Sequence, residues 1–204
     1  MRGSRIALAA VCFSSLSVGV ASGGLVESPL PDHTGRLIVA DFNHSGWLTN
    51  LGDPFGGWDH DPDDHTQFCR IRLVDEPRIG AEGFSLRMDY DVDSPNPAFN
   101  GFWMKLPSLE LRAFRTLSFD LKGDAEHGYP KRLKLELKGR RGVASFILND
   151  IRPDWVRVRI PLYAFRGIEK IRSATEFVVV FDDQTVTQLT GTIYLDEVAF
   201  ESAP

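Results

Sequence analysis

The sequence predicts an all-β protein, a two-sheet antiparallel β-sandwich. Three observations carry that prediction. Ten segments of strand length alternate apolar and polar residues. Clusters of Gly, Pro, Asp and Asn separate them. Only one stretch, "LYAFRGIEKIRSA", has room for a helical turn or two, and Gly167 interrupts it.

Taken in order, the chain first passes a Pro-rich polar linker, "LVESPLPDHTG", and order is expected to begin near Arg36. The first strands are "LIVADF" (37–42), "TQFCRIRL" (66–73), "FSLRMDYDV" (84–92) and "GFWMKL" (101–106). Next come "TLSFDLKG" (116–123), "RLKLELKG" (132–139) and "VASFILND" (143–150), the last two joined by a hairpin flanked by Gly139 and Gly142. "WVRVRIPL" (155–162), "EFVVVFDD" (176–183) and "TIYLDEVAFE" (192–201) complete the set. Leu86, Met88 and Tyr90 oppose Arg87, Asp89 and Asp91. Leu133, Leu135 and Leu137 oppose Lys134, Glu136 and Lys138. A sheet with one apolar and one charged face is antiparallel with one side in water. About ten such strands make two sheets packed face to face. There is no internal repeat and no second domain, so the ordered unit is expected to span 37–201, after a linker over 24–36.

Composition narrows the function classes. The 204 residues are 43% hydrophobic and 25% charged with a formal net charge of -5, which is ordinary for a soluble domain and argues against a nucleic-acid partner. The basic cluster "LKGRRG" (137–142) reads as a solvated hairpin. The start of the chain is different in kind. Arg2 and Arg5 precede an apolar run from Ile6, and small residues follow, which is the layout of a secretory signal peptide over 1–23. Cleavage is expected after Ala21 or Gly23, and the implied setting is secreted or periplasmic. The apolar run is short and broken by serines, which argues against a membrane span. Cys12 raises the question of lipidation, but Val11 stands where a small residue is wanted. With the leader removed, Cys69 is the only cysteine, so stability rests on core burial. Cys69 shares a strand face with Ile71 and Leu73 and reads as a buried apolar thiol.

Catalytic patterns are absent from the sequence: no G-x-S-x-G elbow, Walker loop, H-E-x-x-H or C-x-x-C is present. The protein is therefore expected not to be an enzyme. Asp89 and Asp91 share a strand face about 7 Å apart by strand rise, a spacing that glycoside cleavage can use and that any wet strand face also supplies. The loop "GGWDHDPDDHTQF" (56–68) holds Asp59, His60, Asp61, Asp63, Asp64 and His65. It lacks the EF-hand spacing, and Asp-Pro and Asp-Asp are ordinary turn chemistry.

One strand breaks the expected polarity. In "GFWMKL", Phe102, Met104 and Leu106 share one face, which leaves Trp103 beside Lys105 on the other. Trp155 shares its face with Arg157 and Arg159 and is expected to seal a sandwich edge. Trp47 and Trp58 lie in loop-like segments.

The strand series "LIVADFN", "NLGDPFGGW", "GFSLRMDYDV", "FRTLSFDLKGD", "DWVRVRIPLYAF" and "GTIYLDEVAFE" resembles, in order, the galactose-binding-like jelly rolls. It is similar to the family 11 carbohydrate-binding modules and to the complex I intermediate-associated proteins. The resemblance implies a jelly-roll sandwich. It also implies a structural calcium linking the first strand to the last, on Asp196 and on the position of Asn43, where the family more typically has Glu. Jelly-roll topology sends successive strands to opposite sheets. "GFWMKL", "RLKLELKG", "VASFILND" and "EFVVVFDD" are then expected to share one sheet. Its outer face would collect Trp103, Lys105, Lys134, Glu136, Ser145, Val178 and Val180, with Asn96 and Asn100 at the rim.

Such a surface matches the two needs of a sugar, a ring for its C–H face and hydrogen bonds for its hydroxyls. The expected ligand is a glycan bound without catalysis. Two alternatives stay open. One is a protein-interaction or assembly module of the complex I intermediate-associated type, which a flat apolar patch around Val178 and Val180 would favour. The other is a small glycan-active enzyme, which a carboxylate pair inside a cleft would favour.

Overall fold

The computed structural model describes residues 29–44 and 46–202. The expected leader over 1–23, Cys12 and the first part of the linker lie outside the described residues. Eleven strands form two antiparallel sheets. They are β1 (Arg36–Ala40), β2 (Phe55–Asp59), β3 (Phe68–Val74), β4 (Ser85–Asp91), β5 (Phe99–Glu110) and β6 (Thr116–Gly123). The remaining five are β7 (Arg132–Gly139), β8 (Gly142–Asn149), β9 (Val156–Pro161), β10 (Ser173–Asp182) and β11 (Thr190–Glu201).

Sheet I runs β3-β4-β11-β6-β9, and β1 takes up the edge of β11 beyond the reach of β4. Sheet II runs β2-β5-β10-β7-β8. The two-sheet sandwich read from the alternation is therefore the observed fold, and the four strands assigned to one sheet are together in sheet II.

The inner faces carry the apolar residues that the alternation selects. Leu86, Met88 and Tyr90 of β4 meet Phe102 and Met104 of β5, Leu133, Leu135 and Leu137 of β7, and Phe177, Val179 and Phe181 of β10 in one buried cluster. Tyr90 and Phe181 stack with ring centroids 4.0 Å apart. Each such side chain contributes about 1.5–3 kcal/mol by leaving water. Cys69 is buried with this cluster, and burial pushes its thiol well above the ordinary range. It therefore behaves as an apolar residue.

Three short 3-10 turns are the only helical structure among the described residues. Two of them, Leu162–Ala164 and Ile168–Lys170, fall in the stretch read as helical. Gly167 between them adopts φ +89, a left-handed conformation that favours glycine.

Two features differ from the reading of the sequence. β2 lies in a segment read as loop. Its five residues include two glycines and form an edge strand, so they carry little local signal, and their pairing with β5 holds them in place. β5 begins at Phe99, earlier than the alternating run, because it pairs along β10 from Phe99 to Glu110.

Candidate functional site

Register across sheet II builds the site row by row. Gly56, Trp103, Val178, Glu136 and Ser145 stand opposite one another on β2, β5, β10, β7 and β8. One row away stand Trp58, Gly101, Val180, Lys134 and Ile147. On the other side of the Trp103 row, Lys105, Glu176, Lys138 and Val143 align. All of these point away from the core.

Each tryptophan faces a glycine on its neighbour. Three ring atoms of Trp103 lie within 3.2 Å of where a Gly56 Cβ would stand. Trp58 Nε1 lies 3.2 Å from the corresponding point at Gly101. The missing side chains let both rings settle against the partner strand, half-buried, with the rest of each ring left open. Phe99 continues the aromatic line, 5.9 Å from Trp58 and stacked on His60 at 3.8 Å. Neither indole nitrogen has a hydrogen-bond partner among the described residues.

Charge is arranged beside the rings. Lys105 and Lys138 both pair with Glu176, the latter at 2.9 Å. Burial raises the Glu176 carboxyl, but hydrogen bonds from the two lysines outweigh it and hold the group below its ordinary value. Glu176 therefore stays ionised. The Lys105 ammonium also sits 5.4 Å from the Trp103 ring centroid, within cation–π range. Lys134 lies 3.4 Å from Glu136 and 3.8 Å from Asp182. A depression of about 310 Å³ is lined by Trp58, Trp103, Lys105, Lys138 and Glu176. A second, of about 720 Å³, is lined by Asn96, Phe99, Lys134, Asp182 and their neighbours.

The structure thus brings Trp103, Lys105, Lys134 and Glu136 onto one face and sets Asn96 beside them, where its amide donates to Asp64 Oδ2 at 3.2 Å. Asn100 does not join them. It is buried on the inner side of β5 and its amide donates to the Asp91 carbonyl at 2.7 Å. The sequence treats it as a loop residue. Once β5 extends to Phe99, the same alternation that turns Trp103 outward turns Asn100 inward.

The residues missed were Trp58, Glu176, Lys138 and Asp182. Alternation with Val178 and Val180 already marked Glu176, and the triple Leu133, Leu135, Leu137 marked Lys138. Nothing local marked Trp58.

Val178 and Val180 point outward yet are only 1% and 3% exposed, because the side chains of the adjacent rows cover them. No bare apolar patch stands there.

The positions tied to calcium lie elsewhere. Asp196 sits on the outer side of sheet I and is 1% exposed. Its Oδ2 accepts the Ile79 N–H at 3.0 Å and its Oδ1 the Glu197 N–H at 2.8 Å. Burial, with Glu197 and Asp120 nearby, pushes its carboxyl up to about 7, against the lowering effect of those two N–H bonds. Asn43 Oδ1 accepts the Phe84 N–H at 2.8 Å. Both side chains therefore tie down the segment between Asp75 and Phe84. Among the described residues no group of three or more His, Cys, Asp or Glu side chains converges as a metal site. The calcium expectation thus rests on the resemblance.

The acidic loop is turn chemistry. Asp59 Oδ1 accepts the Cys69 N–H at 2.6 Å, and Asp61 accepts from the Asp63 N–H at 3.1 Å. Asp64, bonded first by the Thr66 hydroxyl and then by Gln67 and Asn96, is held well below the usual carboxylate range. Asp89 is held by Arg72 at 2.6 Å and Arg87 at 2.8 Å, so it is not a free acid or base. Trp155 packs edge-on to Tyr194 at 6.5 Å on the outer face of sheet I, at the β9 border as expected.

Comparison with known proteins finds likeness in structure alone. No family model and no curated protein sequence matches the chain. The family 11 carbohydrate-binding module from Clostridium thermocellum, solved with a beta-1,3-1,4-mixed-linked tetrasaccharide, superposes with a TM-score of 0.63 at 12% identity, over 84% of this chain and 98% of that one. A CBM22-1 xylan-binding domain from Paenibacillus barcinonensis gives 0.51 at 14% identity, over 85% and 100%. An exo-beta-agarase gives 0.57 at 11% identity over 82% of this chain and 25% of its own. The chain has the sandwich fold of the two carbohydrate-binding modules. The complex I intermediate-associated proteins are not among the similar structures above.

Proposed function

We propose that the protein is an exported carbohydrate-binding module, with the outer face of sheet II as its groove. Trp103 and Trp58 supply stacking surfaces, and the ionised row Lys105, Glu176 and Lys138 supplies hydrogen bonds to sugar hydroxyls. Lys134, Glu136 and Asp182, in the neighbouring rows, carry the charged surface on toward Asn96. The observation that carries this reading is the pair of half-buried tryptophans, each seated against a glycine on the next strand and flanked by charge, on a fold shared with glycan-binding modules.

A protein-interaction role of the assembly type finds less support, since Val178 and Val180 are covered rather than bare.

The test is affinity electrophoresis against a panel of polysaccharides, with the wild-type chain and Trp103→Ala side by side. Retardation that the variant loses supports the reading. An absence of retardation by every polysaccharide would end it. Export is checked by the mass of the mature protein, expected to begin after Ala21 or Gly23.

A further inference from the structure

We infer that the groove ends in a seat for an anionic substituent, so that its glycan is an acidic one bearing carboxylate or sulfate groups. This deepens the carbohydrate reading and rests on it. Beyond the row of Lys105, Glu176 and Lys138 lies a cavity of about 400 Å³ lined by Arg140, Arg141, Lys170, Arg172, Ser173 and Thr175. Two segments of the chain bring these cations together. Arg140 and Arg141 form the tip of the β7–β8 hairpin, Lys170 ends the last 3-10 turn, and Arg172 leads into β10.

The arrangement is held by backbone. Ser145 and Arg166 exchange N–H bonds at 3.0 and 2.8 Å, which fastens the turn segment to β8. A Cβ at Gly142 would stand 3.3 Å from the Lys170 Cβ, so the turn packs against the hairpin. Glu110 pairs with Arg172 at 3.1 Å. Arg140, Arg141 and Lys170 have no acidic partner among the described residues. In a chain of net charge -5 this concentration of positive charge is local.

The seat is continuous with the groove. The Thr175 hydroxyl donates to the Lys138 carbonyl at 3.2 Å, and Lys138 lines the tryptophan depression. From Trp103 to Ser108, which also borders the seat, β5 rises roughly 17 Å. A glycan several sugars long, lying on the rings, reaches it. Neutral hydroxyls have no need of unpaired guanidiniums. A carboxylate or sulfate does, because the planar fork matches two of its oxygens.

The experiment is affinity electrophoresis of the full chain in gels carrying agarose or mixed-linked β-glucan as neutral chains, alginate as a carboxylated one and carrageenan as a sulfated one. One acidic polymer is expected to retard the protein at roughly tenfold lower concentration than the neutral ones, and the carboxylate and sulfate arms tell which anion is taken. The double variant Arg140→Ser, Arg141→Ser should lose that preference with its melting temperature unchanged, since the tip is exposed. Added salt should narrow the gap. Trp103→Ala should weaken acidic binding as well.

Equal retardation by neutral and acidic chains overturns the inference, as does a preference that survives the double variant. Acidic binding indifferent to Trp103→Ala and matched by polyphosphate or single-stranded DNA overturns it too, because the seat would then be a bare polyanion surface. Neutral chains bound through Trp103 without acidic preference would remove this inference and leave the carbohydrate reading standing. No retardation by any polysaccharide removes both.

Discussion

The outer faces of the two sheets read alike in the sequence, as rows of charged residues alternating with core positions, yet they are built differently. On sheet I the polar groups consume one another. Arg72 and Arg87 both bind Asp89, Arg87 also donates to the Tyr194 hydroxyl at 3.2 Å, and that hydroxyl donates to Asp124 at 2.8 Å. Burial raises the Asp124 carboxyl, but bonds from Tyr194 and His127 prevail and hold it at about 2. Even the tryptophan of that side, Trp155, is spent as an edge contact on Tyr194. On sheet II the charges also pair, but the two indoles are set over glycines and keep open ring surface. A self-satisfied network stiffens a surface. Open rings beside ionised groups offer it to a ligand. What separates a structural face from a binding face here is the residue opposite each aromatic side chain, a matter of register.

The contrast breaks most visibly at Arg157. Its Nε donates to Asp120 at 3.0 Å, and Asp120 is nearly buried. Arg157→Ala should cost roughly 2–3 kcal/mol of stability, below the roughly 3–5 kcal/mol of a fully buried pair because Arg157 is 34% exposed. Chemical denaturation measures it, and glycan affinity should not move. A change of affinity would mean that the faces are not independent.

The converse substitution is Trp103→Ala. It should weaken glycan binding by about 2 kcal/mol, roughly thirtyfold, while the melting temperature changes little, because the ring lies outside the core cluster. A strongly destabilised variant with intact affinity would show that Trp103 is packing and not platform.

Lys105→Ala sharpens the picture within the groove. Lys138 still neutralises Glu176, so the loss should be about 1 kcal/mol of binding, near fivefold by titration calorimetry.

The test that turns on pH concerns Asp196. Its folded carboxyl, at about 7, lies above the unfolded value near 3.8, so the folded chain keeps a proton that the unfolded chain has released. The stabilising contribution is complete below about pH 4 and is lost as pH rises through about 7. Asp196→Asn mimics the protonated form, so its melting temperature relative to wild type should climb by a few degrees from pH 5 to pH 8. A flat difference across that range would place the carboxyl at an ordinary value. Melting at pH 8 in calcium and in chelator tests the structural calcium that the resemblance implies on the same side chain, and equal midpoints would remove it.

Much of this protein is legible in its sequence because side-chain alternation is a local property. "TLSFDLKG" and "RLKLELKG" carry the period of two within themselves, so their bounds and their buried leucines follow without any knowledge of partners, and the same alternation in "GFWMKL" turns Trp103 outward. The tertiary structure alone decided the rest. It made "FGGWD" a strand by pairing it with β5, and so delivered Trp58 to the groove. It turned Asn100 inward by lengthening β5. It also brought Arg140, at the tip of the β7–β8 hairpin, to one cavity with Lys170 and Arg172 from a second place in the chain. The physical reason is the same in each case. Which residues meet across a sheet depends on the register between segments far apart in sequence, and no residue's own neighbours in the chain encode it.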